Sequence, residues 1–61
     1  MKKITEELYN KGKVTLVASD AEGNEIARET FEPTANYALN FVEYDIRQFC
    51  ANYDIVTIAR Q

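Results

Sequence analysis

The chain contains no histidine, one cysteine, one proline and two glycines in its 61 residues. Without histidine there is no imidazole base. The lone thiol, Cys50, cannot form an internal disulfide. With no histidine beside it, Cys50 offers no transition-metal site. Gly12 and Gly23 stand at separate turns, so no glycine-rich phosphate loop is present. No apolar run has the length of a membrane span. The basic start Met1-Lys2-Lys3 leads into Ile4-Thr5-Glu6-Glu7 and not into the apolar core of a secretion signal. These absences predict no catalytic residues, no metal and no cofactor. The expectation is a non-enzymatic protein of a reducing cytoplasm that makes no contact with a membrane.

The net charge of −3 is unevenly spread. Residues 20–45 hold seven acids (Asp20, Glu22, Glu25, Glu29, Glu32, Glu43, Asp45) and one base, Arg28. Both ends are slightly basic, with four lysines against two glutamates in residues 1–13. An acidic middle argues against direct binding to nucleic acid, which needs a basic footprint. It suits a basic protein partner.

A single domain over residues 1–61 is expected. Residues 1–12 read as a loose arm or a short helix, with Ile4, Leu8 and Tyr9 as its apolar positions. Residues 13–31 read as a β-hairpin: Val14-Thr15-Leu16-Val17-Ala18 is β-branched, and Asp20-Ala21-Glu22-Gly23 has the residues of a type I turn followed by a left-handed glycine. Pro33 reads as the first turn of a helix over 33–52. Ile55-Val56-Thr57-Ile58 lies in a third strand over 54–60. The predicted fold class is α+β, a three-stranded antiparallel sheet with one long helix packed on it (ββαβ).

That helix carries apolar residues on two faces. Ala35, Leu39, Val42, Ile46, Phe49, Cys50 and Tyr53 recur at steps of three and four, the stripe a helix buries against its own domain. Tyr37, Phe41 and Tyr44 obey the same spacing on the opposite side. The N-terminal segment, with Ile4, Leu8 and Tyr9, offers one cover for this second stripe. A second subunit offers another, and the two tyrosines favour it because a phenol tolerates a half-wet site. Asn40, Arg47 and Gln48 would form the polar rim of such an interface, and a symmetric homodimer would repeat the patch. Glu29, Glu32, Glu43 and Asp45 are candidates for an acidic rim around it.

Taken together, the Val14–Val17 strand with its Asp20–Gly23 turn, the acidic return strand, the helical aromatics Tyr37, Phe41 and Tyr44, and the ending Asp54-Ile55-Val56-Thr57-Ile58 resemble the small acidic inhibitors of uracil-DNA glycosylase made by tailed phages of Bacillus. The resemblance runs from Val14 onward. It implies a phage protein acting in the host cell as a dimeric DNA mimic. The paired helices would wall a pocket for the apolar side chain that the glycosylase pushes into the DNA stack. Tyr37, Phe41 and Tyr44 would be the walls, and Glu29, Glu32, Glu43 and Asp45 would stand where phosphates lie. Two departures accompany the resemblance. The helix reads about one turn longer, and Ala38 and Val42 follow the aromatics where the family has an acid. Two other functions fit the composition: inhibition of another nucleic-acid enzyme such as a CRISPR nuclease, or a small homodimeric assembly module.

Overall fold

A computed structural model describes residues 2–59. Position 1 of the expected arm and position 60 of the expected third strand lie outside the described residues. The elements are α1 (Lys2–Lys11), β1 (Val14–Ser19), β2 (Glu25–Phe31), α2 (Leu39–Asn52) and β3 (Ile55–Ile58). The three strands form one antiparallel sheet in the order β2-β1-β3. The α+β class and the strand order along the chain are as the sequence predicts, with the first segment resolved as a helix.

α1 ends at Gly12, whose φ of 77° lets its N–H bond the carbonyl of Leu8 at 2.8 Å. An L side chain rarely adopts that backbone, so glycine caps the helix and turns the chain into β1. Ile4 and Leu8, one turn apart on α1, are buried. β1 is central, and its alternation puts Val14, Leu16 and Ala18 into the core. The hairpin turn forms as expected. Gly23, at φ 88°, donates to the Asp20 carbonyl at 3.0 Å. The Asp20 carboxylate accepts the backbone N–H groups of Glu22 and Asn24, each at 2.9 Å. These bonds, the one from Asn24 foremost, hold the Asp20 carboxyl below its ordinary pKa.

The helix start differs from the expectation. α2 begins at Leu39, not at Pro33. Residues 34–37 instead close a tight turn, in which the N–H of Thr34 bonds the Tyr37 carbonyl at 2.9 Å and the N–H of Tyr37 returns to Thr34 at 3.2 Å. Threonine and asparagine are weak helix formers that favour turns, and the fixed φ of proline suits the entry to a turn as well as a first helical turn. Ala38 is the N-cap, extended at φ −68° and ψ 162°, with no side-chain cap. The additional turn read from the sequence is absent. Ala35 is exposed and outside the helix, so it is not part of the buried stripe.

Val42, Ile46 and Phe49 of α2 are buried against β1, Phe31 and the α1 residues Ile4 and Leu8 in one continuous cluster. Phe31 meets Phe49 edge-on, with ring centroids 5.7 Å apart. Leu39, Cys50 and Tyr53 pack half-buried at its margin. Both helices therefore share one layer on one side of the sheet. Among the described residues, no helix is long and apolar enough to cross a membrane.

Candidate functional site

The residues proposed for the second face of α2 lie on its outer surface. At about 100° per residue, Phe41, Tyr44 and Gln48 point away from the sheet, with Asn40 beside them. Asp45 lies on one flank, and Glu43 with Arg47 on the other. Phe41 is 53% exposed and Tyr44 58%. Asn40, Arg47 and Gln48 are also exposed. α1 does not cover this surface: Ile4 and Leu8 turn into the core.

Tyr37 reaches the same surface by a different route. It belongs to the 34–37 turn and not to the helix, so its expected place one helical turn before Phe41 is corrected. Its ring nevertheless stacks on Phe41, with centroids 5.6 Å apart and planes 28° from parallel. The turn delivers the aromatic that the helix does not. Tyr37 Oη also donates to Asp45 Oδ2. That bond raises the phenol above its ordinary pKa, helped by partial burial and by the charges of Asp45 and Glu29. Glu29 of β2 therefore lies within electrostatic reach of the ridge.

On the other flank, Tyr9 of α1 donates its phenol to Glu43 Oε2 at 3.0 Å, and its pKa is likewise raised, first by that hydrogen bond. Tyr9 is 58% exposed and was not among the site residues expected from sequence. It stands 34 residues from Glu43, so only the packing of both helices on one core reveals the pair. An apolar recess of about 320 Å³ opens beside it, lined by Leu8, Tyr9, Gly12, Pro33 and Leu39.

Of the four expected acids, Asp45 and Glu43 are each held by a tyrosine, and Glu29 lies within electrostatic reach of Tyr37. Glu32 is exposed beyond β2, and among the described residues no hydrogen bond or ion pair joins it to the ridge. Among the described residues, no three histidine, cysteine or acidic side chains cluster closely enough to hold a metal ion. Cys50 is free and half-buried at the core margin.

The arrangement presents a small aromatic platform with carboxylates fixed on both sides. Chemically it can receive an apolar side chain while attracting cationic groups around it. Comparison with protein-family models, with curated proteins and with solved structures finds no match to this chain.

Proposed function

We propose that this chain is a DNA-mimicking protein inhibitor of a host uracil-DNA glycosylase. In this reading it works in the host cytoplasm as a homodimeric phage protein and catalyses nothing. The observation that carries the reading is the exposed platform of Tyr37, Phe41 and Tyr44, with Asp45 and Glu43 tethered on its two flanks.

A protein that grips DNA has a basic groove, and base-flipping enzymes extrude their target nucleotide from the stack. An acidic surface with an apolar centre is complementary to such a groove and to an apolar side chain projecting from it. Phe41 and Tyr44 receive that side chain, with Asn40 and Gln48 at the polar margin. Asp45, Glu43 and Glu29 replace phosphates, and Glu32 extends the acidic surface. Tethering matters because a carboxylate already held in place loses less rotamer freedom on binding. Inhibition is competitive occlusion, with the enzyme's own catalytic groups left intact.

The test is uracil excision by a purified bacterial uracil-DNA glycosylase at increasing concentrations of this protein. The expected result is inhibition that is relieved by more DNA and weakened by salt. Unimpaired excision with the protein in excess removes this target. A pull-down from bacterial lysate that returned a different nucleic-acid enzyme would move the same surface to another partner.

A further inference from the structure

The charged surfaces of this molecule are not all acidic. A cleft of about 570 Å³ opens between α1 and the sheet, with Lys3, Glu6, Glu7 and Lys11 on the helix side and Lys13 and Ile58 on the strand side. At about 100° per residue, Lys3, Glu7 and Lys11 lie on the flank of α1 away from Tyr9, and so away from the aromatic platform. Lys11 is held by Glu7 at 2.8 Å. Among the described residues, no ion pair engages Lys3 or Lys13, and both are exposed. Three lysines against two glutamates make the cleft cationic, the opposite of the platform's flanks.

Ile58, at the mouth of this cleft, belongs to an edge strand. Among the described residues, β3 pairs with β1 on one side and with no strand on the other. Its residues Ile55-Val56-Thr57-Ile58 carry no charge, whereas β2, the opposite edge, carries Glu25, Arg28 and Glu29. Charges along an edge discourage another strand from pairing there, so β3 is the receptive edge. Ala59 donates its N–H to the Thr15 carbonyl at 2.8 Å. Hydrogen-bonded pairs alternate along an antiparallel ladder, so Thr57 also bonds towards β1, opposite Val17. The N–H and C=O groups of Val56 and Ile58 therefore point away from the sheet. Their side chains lie on the core face, the face that α1 covers, and are only half-buried.

We propose that the β3 edge and the cleft together form a groove for an extended, acidic segment of a partner protein. The segment bonds its backbone to Val56 and Ile58 and extends the sheet by one strand. In this mode main-chain bonds give affinity and alternate side chains give selectivity. Its inward apolar side chains complete the burial of Val56 and Ile58. Past Ile58 it enters the cleft, where its carboxylates meet Lys3 and Lys13. A nucleic acid matches the lysines but has no ladder of N–H and C=O groups to match the edge. Charge keeps the two surfaces apart in use: the platform takes a basic partner and the groove an acidic one. The groove does not depend on what occupies the platform.

Selection of random displayed peptides against the full chain reads the occupant's chemistry directly. Enriched sequences should alternate apolar residues and carry more Asp and Glu than the unselected library. A synthetic peptide of the enriched sequence should slow amide exchange at Val56 and Ile58, and leave Thr57, already bonded to β1, nearly unchanged. Lys3→Glu combined with Lys13→Glu should weaken its binding by about five-fold or more, with unchanged circular dichroism. Phe41→Ala should bind it as the wild type does. Enrichment of no sequence, enrichment without the acidic excess, or binding of single-stranded DNA and of no peptide overturns the proposal. So does protection of Val56 and Ile58 that rises with the concentration of the chain alone, which would seat a second copy in the groove. Val56→Pro supplies an independent check. It removes an N–H that faces away from β1, the placement at which an edge strand tolerates proline. It should weaken peptide binding while the melting transition persists; a folded Val56→Pro protein that binds as tightly as the wild type also overturns the proposal.

Discussion

On one side of α2, Val42, Ile46 and Phe49 are 1, 1 and 7% exposed, while on the other Phe41 and Tyr44 stand at 53 and 58%. The helix has spent only half of its apolar surface on folding. The inner half is enclosed by β1, Phe31, Ile4 and Leu8, where any lost methyl leaves a cavity. The outer half has aromatic rings whose neighbours are hydroxyls, amides and carboxylates. Similar spacing in sequence thus leads to two different uses, and the surrounding residues decide which.

The comparison is broken most severely by truncating the inner half. Ile46→Ala should lower stability by about 2–5 kcal/mol, the usual result of a large-to-small change in a packed core. For a chain of this size such a loss approaches the whole net stability, which is about 3–5 kcal/mol in small cores. Thermal unfolding followed by circular dichroism measures it. An unchanged melting temperature would mean that the two faces have been assigned in reverse.

Phe41→Ala should do the opposite. Its ring is half exposed, so the fold should change little, by about 0.5 kcal/mol as for ordinary surface changes. Loss of a central aromatic contact should instead cost target binding about 2 kcal/mol or more, at least tenfold in the inhibition constant. Denaturant unfolding and titrated inhibition, run on the same preparation, separate the two effects.

A smaller change should follow from the flanks. Tyr9→Phe and Tyr37→Phe each remove the phenol that holds Glu43 or Asp45. Folding should be almost untouched. Inhibition should weaken by only about two- to five-fold, the small effect expected for the loss of one exposed polar contact. Unchanged inhibition in both variants would show that tethering of the acids is irrelevant.

The mildest effect concerns the hairpin, far from either face of α2. The Asp20 carboxyl is held below its ordinary pKa by the backbone N–H groups it accepts. A carboxyl whose folded pKa is depressed contributes stability that is fully present above the unfolded value, near 3.8. That contribution fades as pH falls through the lower, folded value. Amide exchange at Glu22 and Asn24 should therefore gain protection as the Asp20 carboxyl ionises, after correction for intrinsic rates. Asp20→Ala should remove this dependence.

Much of the scaffold was legible in the sequence because its signals are local. Val14–Ala18 and Ile55–Ile58 are β-branched runs, and Asp20 to Gly23 carries the turn chemistry in four consecutive residues. The start of α2 was misread because Pro33 suits a helix entry and a turn entry equally, and only the reciprocal bonds of Thr34 and Tyr37 decide between them. α1 was ambiguous because Ile4 and Leu8 alone make too short a stripe to distinguish a helix from an arm. The platform was legible in its members but not in its construction. Tyr37 and Phe41 show a readable four-residue spacing, but that spacing does not reveal that Tyr37 stacks from a turn. Tyr9 reaches Glu43 from another helix, a long-range contact that leaves no spacing to read.

The most direct test of the account is uracil excision measured with folded wild-type protein and folded Phe41→Ala side by side, at matched concentration and several DNA concentrations. The account predicts DNA-relieved inhibition by the wild type and at least tenfold weaker inhibition by the variant. Equal inhibition by the two proteins, or none by the wild type in excess over the enzyme, would contradict it.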